Sequence, residues 1–216
     1  MQPKENGQKS LKQSKINKKF IYLISPNKIK KSFFKDLAEV LKMQKVSFFQ
    51  LRLKKENFKK KLKIGRKIKK ICKKFNVKFL INDDVYLAKK LDADGCHLGQ
   101  KDMDIIKARK LIKNKIIGIT CHNSLKLAKK AIKKKADYLA FGSFYRSKTK
   151  TKAKKANLNI IKWAKKNIRK PVVAIGGINN LNYKKLLSFG AKYIAISSYI
   201  WDNPKLKPEI AIRKFK

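Results

Sequence analysis

Eight short apolar runs alternate along this chain with longer, lysine-studded segments, and that alternation limits the possible folds more than any other feature. The runs are rich in β-branched and aromatic residues and stand at Phe20–Ile24, Val46–Leu51, Val77–Asn82, Asp94–Leu98, Ile116–Thr120, Asp137–Gly142, Val172–Gly176 and Tyr193–Ser197. Between them, apolar residues recur at three- and four-residue steps, the mark of helices with one buried face. In the clearest case Phe58, Leu62, Ile68, Ile71, Cys72 and Phe75 share a face opposite lysines. Further helices are predicted near Ser32–Met43, Asp84–Leu91, Met103–Ile112, Ser124–Lys135, Asn157–Lys166 and Asn180–Ser188, with a last one after Trp201. Nearly continuous apolar strands are those of a parallel sheet covered by helices. Eight strands, each followed by a helix, predict a single-domain (β/α)8 TIM barrel rather than an open doubly wound sheet. The 216 residues suit the short end of that fold, which begins at roughly 200. Residues 1–19 read as a flexible basic tail, residues 20–216 as the barrel, and 143–156 as a long polar loop.

Composition narrows the function. At 43% hydrophobic residues the chain is too apolar for a disordered basic tail. No apolar run approaches the ~18–20 residues of a membrane span, and the first nineteen residues lack the apolar stretch of a secretory signal. Three cysteines, Cys72, Cys96 and Cys121, show no metal-type pair spacing, and their odd number fits no closed disulfide framework. The expectation is a soluble, cytoplasmic protein.

The net charge of +46 suggests polyanion binding. Yet only six of the 59 basic residues are Arg, the side chain that nucleic-acid readers use for bidentate contacts. The lysines are spread over every predicted helix, as solvated faces under a compositional bias would be. The expected partners are therefore small molecules, with no specific nucleic acid and no membrane. The oligomeric state stays open, a homo-oligomer included.

The acids carry more information because they are scarce. Six of the 13 fall between Asp83 and Asp104, a window with only three lysines. A cluster retained against such a background points to work that lysine cannot do. Holding a hard divalent cation is one such task, because Mg2+ takes one or two carboxylates plus phosphate and water oxygens. Asp94 and Asp104 read instead as structural residues that begin a strand and a helix.

In such a barrel the chemistry gathers at the carboxyl ends of the strands. The second strand ends in Gln50-Leu51-Arg52-Leu53-Lys54, where alternation puts one amide and two cations on one side. The third ends in Asn82-Asp83-Asp84, and the fourth leads through Gly99 and Gln100 to Asp102. The fifth delivers Thr120-Cys121-His122, and the sixth runs into the loop with Arg146, Ser147, Thr149 and Lys150. Gly176-Gly177 and Ser197-Ser198 follow the last two strands, as in the barrel phosphate site. Cys121 beside His122 is no catalytic pair, since neighbours on a strand point oppositely.

At these residues the sequence resembles the thiamine phosphate synthase family over roughly residues 20–202. Gln50–Lys54 is similar to the family's Q-L-R-E-K, Phe79–Asp83 to F-I-I-N-D, and Asp94–Asp102 to D-G-V-H-L-G-Q-x-D. Ile117–His122, the loop ending Thr149-Lys150, and Val173–Ile178 resemble three further motifs. The resemblance implies a transferase of thiamine biosynthesis that joins hydroxymethylpyrimidine diphosphate to a thiazole phosphate and releases pyrophosphate with Mg2+. It implies Asp83 and Asp102 as metal carboxylates, and Arg52, Lys54 and Lys150 as catalytic cations. Gln50, Arg52, Lys54, Asn82, Thr120 and Lys150 would hold the pyrimidine diphosphate. Ser147, Lys148, Thr149, Gly177, Ser197 and Ser198 would hold the thiazole phosphate. Leu53 replaces the family's Glu, Thr120 its Ser, and Ser197 an aliphatic residue; Ser143, Arg146 and Ser147 also depart from its loop pattern. A change in packing is expected at Leu53. Two other readings compete: a thiazole tautomerase using His122, and a non-catalytic barrel that binds precursors or RNA. Arg52, Lys54, Asp83 and Asp102 are superfluous to the first, and an inert relative would be expected to have lost a metal carboxylate or Lys150.

Overall fold

The computed structural model describes residues 19–146 and 155–216. Its strands are β1 (Ile21–Ile24), β2 (Val46–Leu51), β3 (Lys78–Asn82), β4 (Gly95–Leu98), β5 (Ile116–His122), β6 (Tyr138–Gly142), β7 (Val172–Ile175) and β8 (Tyr193–Ile196). They form a closed barrel in sequence order, and each pairs in parallel with its neighbours. The helices are α1 (Phe33–Lys42), α2 (Phe58–Lys74), α3 (Val85–Lys90), α4 (Ile105–Ile112), α5 (Leu125–Lys133), α6 (Asn159–Asn167), α7 (Tyr183–Ser188), α8 (Ser198–Trp201) and α9 (Pro208–Arg213). The predicted barrel is thus the observed one, and strand ends agree to within two residues. The tail expected over residues 1–19 lies, except for Lys19, outside the described residues. Among the described residues no helix is long and apolar enough to cross a membrane.

Alternation along the strands divides the apolar residues into two cores. Leu23, Phe49, Ile81, Cys96, Ile117, Phe141, Ala174 and Ile194 point outward into the larger one, which the helices cover. Tyr22, Ile24, Leu80, Tyr138, Ala140, Val173 and Ala195 point inward, with Phe48, Ile116, Ile175 and Tyr193 against them. All three cysteines are buried and free. Leu53 is buried in the outer core, away from Arg52, in agreement with the sequence reading.

Helix starts are set by short polar side chains. Asn57, Asp84, Asp104 and Ser124 each accept a hydrogen bond from a first-turn backbone N–H, so α2, α3, α4 and α5 begin just after them. The C-terminal helix α9 brings Phe215 into the core, fully buried against Tyr183 and Tyr199. The Tyr183 hydroxyl accepts from the Lys216 N–H at 2.9 Å, which ties the chain end to α7.

Inside the barrel one glycine decides whether the large inward rings fit. A Cβ built on Gly118 would lie 1.9 Å from the Tyr138 Cζ. The Tyr138 ring occupies the space that a side chain there would need. Gly118→Ala is therefore expected to destabilise the fold by about 1–3 kcal/mol through overpacking, read as a lower urea midpoint; an unchanged midpoint would mean the ring can move aside.

Candidate active site

Of the six acids clustered between Asp83 and Asp104, four have structural partners. Asp84 and Asp104 cap helices, Asp92 pairs with Lys69 and Lys115, and Asp94 accepts from the Phe79 N–H at 2.9 Å. The structural reading of Asp94 and Asp104 therefore holds. Asp83 and Asp102 are left, and their carboxyls hydrogen-bond each other at the carboxyl-end mouth of the barrel.

Backbone geometry holds this pair in place. The Asp83 N–H donates to the His97 carbonyl at 2.8 Å, one residue past the end of β3. Its φ of 64° is a left-handed conformation that Asp tolerates better than most residues. Asp102 is held by the Gly99 N–H, which donates to its Oδ2 at 2.6 Å. Lys54 reaches across from the loop after β2, with Nζ 3.0 Å from Asp83 Oδ2.

The two carboxyls titrate apart. Burial pushes Asp83 up, but the hydrogen bonds from Asp102 and Lys54 outweigh it and hold this carboxyl below its usual range. Burial, and then the neighbouring Asp83, raise Asp102 despite the Gly99 amide. Two carboxyls set against each other are eased by a divalent cation between them, so the donor set fits Mg2+. Among the described residues no group of three or more His, Cys, Asp or Glu side chains converges on a metal. Two carboxylates leave further positions to phosphate and water oxygens, as Mg2+ prefers.

Arg52 and Lys54 lie beyond Leu51, the last residue of β2, and take different neighbours. The Arg52 Nη1 donates to Asn27 Oδ1 at 3.2 Å, and its backbone N–H donates to Ser25 Oγ at 2.9 Å. Asn82 ends β3 opposite His97, half-buried. Gln50 is buried, with 2% exposure, and its Nε2 donates to the Tyr22 hydroxyl at 3.0 Å. From there hydrogen bonds continue across the barrel. The Tyr22 and Tyr138 oxygens lie 2.7 Å apart, Tyr138 meets His97 Nδ1 at 2.8 Å, and His97 Nε2 meets Thr120 Oγ1 at 2.8 Å. Burial pushes both phenols well above their ordinary range, so both keep their protons. Sequence reasoning assigned no role to Tyr22, His97 or Tyr138. Their shared inward phase on β1, β4 and β6 was the available signal.

Of the residues expected on the thiazole side, Gly177, Ser197 and Ser198 lie among the described residues. Ser147, Lys148, Thr149 and Lys150 lie outside the described residues. Gly176 and Gly177 both have positive φ, and a Cβ on Gly177 would lie 2.2 Å from the Arg146 carbonyl oxygen. These glycines let the loop after β6 pack against the end of β7. The Ser197 hydroxyl donates to the Ser25 carbonyl at 3.1 Å, which leaves its lone pairs rather than its proton for any ligand. Ser198 is the first residue of α8. His122 is exposed at the end of β5, where the pairing register shifts, while Cys121 is buried in the outer core.

A closed parallel barrel with paired carboxyls and a cation at its carboxyl-end mouth has the form of a barrel enzyme, whose sites gather at that end. Comparison with known proteins gives the family. The family model described as thiamine monophosphate synthase matches residues 21–200. A thiamine-phosphate synthase of Pelagibacter ubique is 67% identical over 207 residues, covering 95% of this chain and all of that one. A thiamine-phosphate synthase of Thermoplasma acidophilum is 35% identical, covering 92% of this chain and 91% of its own. A solved thiamine phosphate pyrophosphorylase from Pyrococcus furiosus superposes with a TM-score of 0.82 at 31% identity, covering 92% of this chain and 94% of that one. The chain belongs to the thiamine monophosphate synthase family.

Lys54 tests the mouth without disturbing the core, because its side chain is 57% exposed. Lys54→Met is expected to change stability by less than about 1 kcal/mol. Turnover should fall roughly a hundredfold, the scale of losing one preorganised charge-stabilising group. Parallel urea and steady-state measurements check both expectations.

Proposed function

We propose that the chain joins hydroxymethylpyrimidine diphosphate to a thiazole phosphate in a Mg2+-dependent reaction, with Asp83 and Asp102 holding the ion. The hydrogen-bonded Asp83–Asp102 pair beside Lys54 is the observation that carries this reading. Membership of the family supports the reaction class, and the chemistry of the site supports the roles.

The reaction breaks one C–O bond and forms one C–N bond. The bridging oxygen keeps the bonding electrons and leaves as part of pyrophosphate. The exocyclic carbon of the pyrimidine becomes cation-like, and the lone pair of the thiazole nitrogen closes the new bond. No protein nucleophile is needed, which suits a site built of cations, carboxylates and amides. Arg52 and Lys54 stabilise negative charge as it collects on the departing diphosphate, and Lys150 is assigned the same task. Mg2+, held by Asp83 and Asp102, would neutralise diphosphate oxygens in the ground state and further as the bond breaks. Gln50 and Asn82 orient the pyrimidine, and Thr120 gives the diphosphate a hydroxyl. Ser147, Lys148 and Thr149, together with Gly177, Ser197 and Ser198, are assigned to the thiazole phosphate. The Asp83–Asp102 pair has no use in a proton shift on the thiazole, which argues against a tautomerase centred on His122.

The purified chain supplied with both substrates and Mg2+ is expected to form thiamine phosphate and pyrophosphate; no product, or equal product with a chelator present, would defeat the reading. Asp83→Asn should lower turnover roughly a hundredfold or more while the urea midpoint stays close to wild type. Full Mg2+-dependent activity in that variant would move the ion elsewhere.

A further inference from the structure

Along a regular strand, successive carbonyls turn to opposite neighbours. At the end of β7 they do not. The Ile175 oxygen accepts from the Phe144 N–H at 3.1 Å and the Gly176 oxygen from the Tyr145 N–H at 3.0 Å, so both face the loop after β6. The φ of 107° at Gly176, a value that side chains rarely adopt, makes this possible. The next oxygen, of Gly177, accepts from Asn182 Nδ2 at 3.1 Å, just before α7. A trans peptide sends its N–H away from its oxygen. Three consecutive N–H groups, of Gly176, Gly177 and Ile178, are therefore directed by whatever holds the three oxygens. None of the three meets an acceptor among the described residues. Ile178 is buried, with 4% exposure, so bulk water is a poor partner for its N–H.

Asn182 can stand only one way round. Its Oδ1 accepts from the Asn179 N–H at 2.9 Å, so Nδ2 is the atom that meets Gly177. Asn179 answers with its own Oδ1, which accepts from the N–H groups of Leu181 at 2.8 Å and Asn182 at 3.2 Å. A donor on one side and an acceptor on the other settle the orientation of the amide. We infer that the Ile178 N–H is a phosphate donor that this loop adds to the Gly177 N–H, and that Asn182 is its positioning residue. The group it fits is a phosphate monoester dianion, which offers oxygens to successive N–H groups and lies beside Ser197 and Ser198 at the end of the neighbouring β8. This rests on the proposed reading, in which Gly177, Ser197 and Ser198 hold the thiazole phosphate. Asn182 acts by keeping the Gly177–Ile178 peptide from turning its oxygen toward the anion. Without that clamp the peptide swings about a glycine at little cost and sets an oxygen against the phosphate.

Amide resonances of the nitrogen-15 labelled chain test this without turnover. On titration with inorganic phosphate, and then with the thiazole phosphate, the wild-type Ile178 amide proton is expected to move downfield, as protons do on bonding to an anion. In Asn182→Ala that response should be lost, while the Gly177 amide, held through Tyr145, still responds. KM for the thiazole phosphate should rise about tenfold, the low end of what a hydrogen bond to a charged group is worth. KM for the pyrimidine diphosphate and turnover at saturation should stay near wild type. Asn180→Ala is the control for loosening the same loop, because Asn180 Oδ1 accepts from the Tyr199 hydroxyl at 2.7 Å and Asn180 holds none of the three oxygens. Both KM values should hold in it. If Asn182→Ala fails to fold, Asn182→Asp keeps the acceptor for Asn179 and loses only the donor; the Ile178 response relative to that of Gly177 then decides. A wild-type Ile178 amide that ignores both phosphates overturns the proposal. So does a folded Asn182 variant that keeps the Ile178 response or the wild-type KM for the thiazole phosphate. An equal rise of KM in Asn180→Ala overturns it too, since the loop would then act only as a whole. A chain that forms no thiamine phosphate defeats the proposed function, and the Ile178 response to inorganic phosphate still decides the role of Asn182.

Discussion

Closing eight parallel strands into a ring sends every second side chain into a space that neither helix nor bulk water can reach. Those positions must fill the space and satisfy every polar atom they carry in there. This chain fills it with large rings, Phe48, Tyr22, Tyr138 and Tyr193, and trims the wall at Gly118 to admit one of them. Three of the rings carry hydroxyls, and those of the buried Tyr22 and Tyr138 have to be bonded. Gln50, His97 and Thr120 meet that demand, and no buried side-chain nitrogen or oxygen among the described residues is left without a partner. The polar groups that face a ligand are thus continuous with those that let the barrel interior exist.

Around this interior lies a surface dominated by one kind of charge. In a chain with 59 basic and 13 acidic residues, a carboxylate has many attractive neighbours to choose from. Asp92 takes two lysines, Asp94 a strand N–H and a lysine, Asp137 an arginine and a strand N–H. Asp83 and Asp102 instead face each other, with one lysine alongside. Such an arrangement is costly unless a proton or a cation sits between them, which marks this pair more clearly than the charge of the whole molecule does.

The strands could be read from the sequence to within two residues because both sheet faces are buried, and every strand shows as an almost unbroken apolar run. Helix starts were less exact where a cap intervenes: the segment predicted from Met103 begins at Ile105, because Asp104 accepts from the Ile106 N–H. Alternation carried past the end of β2 still placed Leu53 correctly, yet it did not foresee that Arg52 would turn to Asn27 while Lys54 reached Asp83. The carboxyl pair was legible because acids are so scarce in this chain that a cluster of them stands out. The Tyr22–Tyr138–His97 contacts were not legible, since they join β1, β6 and β4 across the barrel, and no local pattern encodes which inward residues meet. Nor did the sequence tell that the Ser197 hydroxyl would be engaged by the carbonyl of Ser25.

The fit of Tyr138 over Gly118 also ties two positions of this sequence together. A methyl group at position 118 costs less packing once the ring at 138 has been traded for something smaller. That trade removes a hydroxyl from the middle of the hydrogen-bonded run. The two sites, on adjacent strands, therefore share one volume, and a bulkier residue at 118 calls for a differently furnished interior.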